Sequence, residues 1–232
     1  MARNRTSLIA LSAAALAGLL ATGCSLADGP TKKAERTYTV DGKVTAVEAE
    51  TFGGDITVRP VDKGGKVRVT EKYEYAGNKP NPEHELKDGR FTLRKTDCGN
   101  SGQRCTVHIT VLAPPTVSVH LKTSGGNLTV NGTSGPVVAE TSGGDVRVEN
   151  SASRSVTART RGGDVTTEFT AVPDRVDDST RGGDVRVRLP QGSYAVEATT
   201  SGGKRKVTVP SDDSSSHKIK AHTQGGNVTV TS

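Results

Sequence analysis

The chain has 232 residues, 31 basic and 25 acidic, for a formal charge of +6 at pH 7. It has no Trp, four Tyr and three Phe, too few rings for a stacking platform on single strands or sugars, and no segment gathers the positive charge into the basic face of a nucleic-acid binder. Only 32% of the residues are hydrophobic, many of them Val and Ala, which suits a thin repetitive core better than a thick globular one.

The chain opens with Arg3 and Arg5, followed by an uncharged Ala/Leu-rich run from Leu8 to Leu20. A bilayer-spanning helix needs about 20 apolar residues; a basic start, a shorter apolar run and small residues at its end describe an export signal instead. The small residues are Ala21-Thr22-Gly23, and Cys24 follows. This ending resembles the lipobox of bacterial lipoproteins, which implies lipidation of the Cys24 thiol after removal of residues 1–23. Ala21 stands where Leu is commonest, with Leu20 one place upstream. The alternative is an ordinary signal peptide cut nearby, with Cys24 incidental. Arg3-Asn4-Arg5 is not a twin-arginine pair, so general secretion is the expected route. Two acyl chains, at roughly 0.8 kcal/mol per buried methylene, would hold the mature chain on the extracytoplasmic face of the cell membrane. Residues 24–36, polar with Gly-Pro and Lys-Lys, read as a lipidated tether.

Residues 37–122 form an N-terminal β region. Val40-Asp-Gly-Lys and Leu86-Lys-Asp-Gly-Arg-Phe carry hairpin-turn signals, and Gly77-Asn-Lys-Pro-Asn-Pro-Glu is a loop. Apart from Cys24, the cysteines are Cys98 and Cys105, an even pair in an oxidising compartment. The six residues between them have loop composition and lie between the strand-like runs Phe91-Thr-Leu-Arg and Thr106-Val-His-Ile-Thr-Val. A disulfide stapling a hairpin loop is expected; zinc and redox pairs use closer spacing.

From Thr123 a unit recurs: Thr123-Ser-Gly-Gly-Asn-Leu-Thr-Val, Thr141-Ser-Gly-Gly-Asp-Val-Arg-Val, Thr160-Arg-Gly-Gly-Asp-Val-Thr-Thr, Thr180-Arg-Gly-Gly-Asp-Val-Arg-Val and Thr223-Gln-Gly-Gly-Asn-Val-Thr-Val. Thr200-Ser-Gly-Gly-Lys-Arg-Lys-Val is a degenerate copy, and Thr51-Phe-Gly-Gly-Asp-Ile-Thr-Val an isolated early one. The starts from Thr123 fall 18, 19, 20, 20 and 23 residues apart. Val156, Ala158 and Thr160 alternate with polar residues before a corner, and Val185, Val187 and Leu189 after one, so each strand has one buried face. The glycine pairs Gly53-Gly54, Gly125-Gly126, Gly143-Gly144, Gly162-Gly163, Gly182-Gly183, Gly202-Gly203 and Gly225-Gly226 are read as structural corners supplying positive φ, with the next Asp or Asn bonding nearby amides. One period makes one coil of two short strands, and coils that cannot bury their apolar faces alone stack. The fold class is all-β: a single-stranded β-solenoid of about 20-residue repeats over residues 123–232, after the less regular N-terminal half.

The repeated unit, with the join Val107-His-Ile-Thr-Val-Leu-Ala-Pro-Pro-Thr-Val-Ser-Val before it, resembles the bacterial DUF4097 family, whose members are described as candidate adhesins. The likeness runs from about Thr37 to Ser232. It implies a β-strand-repeat solenoid at the cell envelope and specifies architecture rather than activity. Lys204-Arg205-Lys206 departs from the pattern and reads as a bulge on one edge.

Three chemistries compete for the repeat. Asp145, Asp164 and Asp184 stand in register and could hold calcium, but calcium-binding β-rolls use a nine-residue unit with a further glycine; turn formation is the favoured reading. The same acids could imitate the catalytic cluster of a polysaccharide-degrading solenoid. Acid–base work, however, needs groups in different environments, and a repeat supplies similar ones. His84, His108, His120, His217 and His222 have no ligand or nucleophile spacing. Arg161 and Arg181 share one repeat position, Arg147 and Arg186 another; such ladders could grip anionic polymers or form a solvated face neutralised by the neighbouring aspartates. The expected function is a non-catalytic adhesion or envelope-structural module without cofactor, metal or nucleic acid. Its partner would be a wall polymer or surface protein, and the uncapped end at Val230 would allow end-to-end self-association. The alternatives are a carbohydrate-active solenoid and an accessory protein in envelope stress.

Overall fold

The computed structural model describes residues 30–62, 64–94 and 105–232. Cys24, Cys98 and the segment read as an export signal lie outside them. The described chain enters with β1 (Lys32–Thr39), then β2 (Ala46–Thr51), a Gly-Gly corner and β3 (Ile56–Pro60). β4 (Arg68–Tyr75), β5 (Glu83–Lys87), β6 (Arg90–Arg94) and β7 (Cys105–Ala113) follow. A regular run comes next: β8 (Ser118–Thr123) and β9 (Leu128–Asn131), β10 (Val137–Glu140) and β11 (Val146–Ser151), β12 (Ser155–Arg159) and β13 (Val165–Phe169), β14 (Arg175–Ser179) and β15 (Val185–Arg188). The chain finishes with β16 (Ala195–Thr200), β17 (Arg205–Val207), β18 (Lys218–Thr223) and β19 (Val228–Thr231).

Each coil gives one strand to each of two facing sheets, and neighbouring coils pair in parallel. Val137 lies between Val119 and Val156 in one sheet, and Val146 between Leu128 and Val165 in the other. The ten-stranded sheet runs β1-β4-β7-β3-β9-β11-β13-β15-β19-β17, and the nine-stranded sheet β16-β18-β14-β12-β10-β8-β2-β6-β5. The β-solenoid is therefore sequential only in its middle. At one end the coil β6–β7 lies outside the earlier coil β2–β3; at the other, β16–β17 lies outside the later coil β18–β19. Strands from residues 37–122 and from 123–232 share both sheets.

Period-two alternation does what it predicts. Val156, Ala158, Val185, Val187 and Leu189 point inward and are at most 2% exposed, while the residues between them face out. Stacked inward positions form columns, and one is broken: Asp178 occupies the place held by Ala158 and Ala221 on either side. Its carboxylate accepts a bond from Thr167 Oγ1 at 2.7 Å, and Thr167 stands in a column of valines, Val148 and Val187.

The N-terminal end is closed by antiparallel strands. β4 pairs with β7 and β1 with β4. Buried Glu71 accepts hydrogen bonds from Tyr73 and, at 2.7 Å, from Tyr38; burial, reinforced by this carboxylate, raises both phenol pKa values. Three sequence expectations change here. Residues 32–36, assigned to the tether, belong to β1, because this alternating segment finds an open strand edge on β4. Asp88-Gly89 makes the expected two-residue hairpin between β5 and β6, with φ of 50° and 78°, a pairing typical of a type I′ turn. Asp41-Gly42 instead carries the chain from one sheet to the other, since β1 and β2 lie in different sheets. For the same reason β6 and β7, which lie in different sheets, are not the two strands of a hairpin. Whether Cys98 pairs as expected lies outside the described residues.

Candidate functional site

The corner that repeats along the stack brings together the residues singled out by the sequence. Its first residue, Thr, points inward, and its hydroxyl donates to a glycine carbonyl of the adjacent coil: Thr141 to Gly126 at 2.9 Å, Thr160 to Gly144 at 2.8 Å, Thr180 to Gly163 at 2.8 Å and Thr223 to Gly183 at 2.8 Å. The same oxygens accept the amide of the second glycine of their own unit, as from Gly163 to Thr160 at 3.3 Å.

The acid or amide after the glycines forms a second ladder. Asp55 Oδ1 accepts from the amide of Asn127 at 2.7 Å, Asn127 from Asp145 at 2.8 Å, Asp145 from Asp164 at 2.9 Å, Asp164 from Asp184 at 2.8 Å and Asp184 from Asn227 at 2.8 Å. Asp and Asn are equivalent here because only the acceptor oxygen is used. At the outer coils the series changes character: His108 Nδ1 accepts from Asp55 at one end, while Lys204 donates its amide to Asn227 at the other. Burial pulls the Asp164 carboxyl upward, but the Asp184 amide and the Arg186 guanidinium outweigh it and hold its pKa below the usual carboxylate value.

The glycines are needed for a reason other than the one expected. None of the corner pairs has positive φ. A methyl group on the second glycine would instead collide with the carbonyl of the coil below, Gly144 with Gly126 and Gly163 with Gly144. The first glycine has more room: a methyl would meet nothing at Gly53 and would lie 3.6 Å from Gly125 Cα at Gly143, tightening to 3.3 Å at Gly162 and 3.2 Å at Gly182. Close approach between coils, rather than backbone handedness, demands Gly at the second place.

The four arginines divide. Arg147 pairs with Asp145 at 2.7 Å, and Arg186 with Asp164 at 3.1 Å and Asp184 at 2.5 Å. Arg161 donates only to Ser142 Oγ, at 3.0 Å, and Arg181 has no side-chain hydrogen bond or ion pair among the described residues. Both are exposed. They line a groove of about 390 Å³ along the coils, with Lys122, Arg159 and His222 on the same wall. A second groove, of about 830 Å³, lies at the N-terminal end between mixed charges including Glu48, Glu85, Arg94 and His120.

The histidines do not converge. His84 stacks on Tyr38 with ring centres 4.5 Å apart, and His217 Nδ1 lies 2.9 Å from the Pro173 carbonyl. His222 Nδ1 meets Thr199 at 2.8 Å, and His120 lines the larger groove. Among the described residues no three His, Cys, Asp or Glu side chains are grouped to hold a metal ion. Asp178 and Glu71 escaped the reading by residue type, although aligning Arg175-Val-Asp-Asp-Ser on Ser155-Val-Thr-Ala-Arg puts Asp178 at an inward position.

The sequence model of the Toastrack DUF4097 family matches residues 41–231. The chain belongs to this family. A solved structure described as a candidate cell adhesion protein from Clostridium sporogenes is 14% identical, with 86% of this chain and 99% of that chain covered at a TM-score of 0.49. A candidate adhesin from Bacteroides fragilis is 17% identical, with 86% and 96% covered at a TM-score of 0.45. No curated protein matches the chain.

Proposed function

We propose that the chain is a lipid-anchored extracytoplasmic module with a non-catalytic adhesive or envelope-structural role. One observation carries the non-catalytic part: the recurring carboxylates Asp145, Asp164 and Asp184 each spend Oδ1 on the amide of the next coil, and their Oδ2 atoms serve Arg147 and Arg186. A general acid or base needs a carboxyl free to exchange its proton with substrate; these hold the stack together. The basic-apolar start and Cys24 support export and lipidation, with attachment to the cell membrane through the Cys24 lipid. A Cys98–Cys105 disulfide would staple the segment joining β6 to β7. The expected partner is a wall polymer or a surface protein.

The test is to incubate the mature chain with wall fractions and polysaccharides, following both retention and release of small products. Saturable retention without products is the expected result. Product formation that disappears in Asp164→Asn or Asp184→Asn, which keep the stacking acceptor, would replace this reading with a carbohydrate-active one.

A further inference from the structure

The solvated-face reading of the arginines requires the turn aspartates to neutralise all four. The structure shows those acids engaged elsewhere. Asp164 and Asp184 face Arg186, on the far side of the corner, and Asp145 faces Arg147. On the near side, Arg159 is held between Glu140 at 3.8 Å and Asp177 at 2.8 Å. Arg161 and Arg181 are left on adjacent coils, joined by the bond from the Gly182 amide to the Arg161 carbonyl at 3.1 Å. Their backbones are therefore about one strand spacing, 4.8 Å, apart. Two like charges at that spacing repel; Glu140 lines the same groove but is turned to Arg159, and no described carboxylate forms an ion pair with Arg161 or Arg181.

We infer that Arg161 and Arg181 form a binding site for phosphate groups of an anionic wall polymer, with Ser142, Ser179 and Gln224 as neutral neighbours in the same groove. This rests on the adhesive reading above and names its ligand class. A planar carboxylate offers its two oxygens in one plane, the shape of a single guanidinium fork; a tetrahedral phosphate directs its oxygens out of one plane and can accept from two forks together. The pair sits on a stack whose corners are locked by two hydrogen-bond ladders, so the backbone carrying the two side chains loses little freedom on binding. The groove runs along the solenoid axis, which suits a linear polymer.

The experiment measures retention of poly(glycerol phosphate), polygalacturonate and neutral dextran by the mature chain, by Arg161→Gln/Arg181→Gln, and by Arg147→Gln/Arg186→Gln. Both double variants lose two charges, but the second also leaves aspartates uncompensated, so nonspecific attraction would suffer at least as much there. The expected result is at least a tenfold loss of poly(glycerol phosphate) retention in the first variant, less than twofold in the second, and weak retention of the other two polymers throughout. Equal losses in both variants would overturn the site in favour of general charge attraction, and polygalacturonate held as well as poly(glycerol phosphate) would overturn the ligand class. If wall fractions are retained while Arg161→Gln/Arg181→Gln changes nothing, the site fails and the adhesive reading survives. Release of products would overturn that reading separately. Unchanged thermal unfolding of the first variant, whose arginines are both exposed, excludes misfolding as the cause of lost binding.

Discussion

The middle coils and the coils β2–β3, β16–β17 and β18–β19 near the ends use the same eight-residue unit but reach their neighbours differently. Between β8 and β15 the amide of each corner acid finds its acceptor 18 to 20 residues back. At the ends the same bond spans 72 residues from Asn127 to Asp55 and 43 from Asn227 to Asp184. Doubling a loop costs only about 0.6 kcal/mol in closure entropy, so skipping a coil is cheap. The unit specifies the shape of its neighbour, not its place in the sequence. What decides the outermost coil is the corner residue itself. The ladder has a direction, each side chain accepting from the next coil, and Lys204 cannot accept an amide. Nothing can continue the ladder beyond it.

The largest expected effect breaks the middle of the stack. Gly144→Ala would force a methyl into the Gly126 carbonyl and should cost several kcal/mol, on the order of 3 or more. Gly143→Ala, one residue away with room at 3.6 Å, should stay within about 1 kcal/mol. Urea denaturation of the pair decides whether close approach governs the corner; equal losses would return the argument to backbone conformation.

The next effect concerns a buried acid in the core, on the last coil before the chain leaves sequential order. Asp178 is fully buried, and among the described residues its Oδ1 has no hydrogen-bond partner. Burial pushes its pKa up to about 8, against the Thr167 hydrogen bond and with help from Asp177. An unfolded Asp titrates near about 3.9. Between these values the folded state keeps a proton that the unfolded state releases, so this group makes stability fall as pH rises from about 4 to about 8 and level off above. The slope approaches about 1.4 kcal/mol per pH unit. Asp178→Ala restores the column of Ala158 and Ala221; it should flatten this dependence and raise stability at pH 8.5 by a few kcal/mol. Unfolding midpoints of both proteins at pH 5 and pH 8.5 test this, and parallel losses in the two would refute it.

The smallest effect on folding, though visible in association, lies at the C-terminal edge. The expectation of an uncapped end at Val230 does not survive: β19 is inside the sheet, and β17 is the edge. Nor does Lys204-Arg205-Lys206 mark a bulge, since β17 pairs in register with β19. Arg205 occupies the inward place next to Val228 and turns its guanidinium to the Ala198 carbonyl at 2.9 Å. Charges on an edge strand, including inward ones, oppose further strand pairing. Lys204→Asp with Arg205→Val and Lys206→Thr restores the repeat and should add concentration-dependent association beyond that of the unchanged chain in sedimentation velocity. Equal association of the variant and the unchanged chain throughout the micromolar range would show that other features block the edge.

The sequence by itself determined the coil, its two strands, the inward columns and the bonding of the corner Asp or Asn to backbone amides, because these repeat the same chemistry every 18 to 20 residues. It also marked the unusual copy, Lys204 to Lys206, without showing where that copy lies. Only the tertiary structure decided the stacking order at the two ends, the use of the second glycine, and the division of the arginines into neutralised and uncompensated pairs. Each depends on which coil lies one strand spacing away, and that neighbour is up to 72 residues distant in the chain. Parallel coils of nearly identical outline accept one another in several orders, so the choice rests on a few end residues and cannot be read from the period.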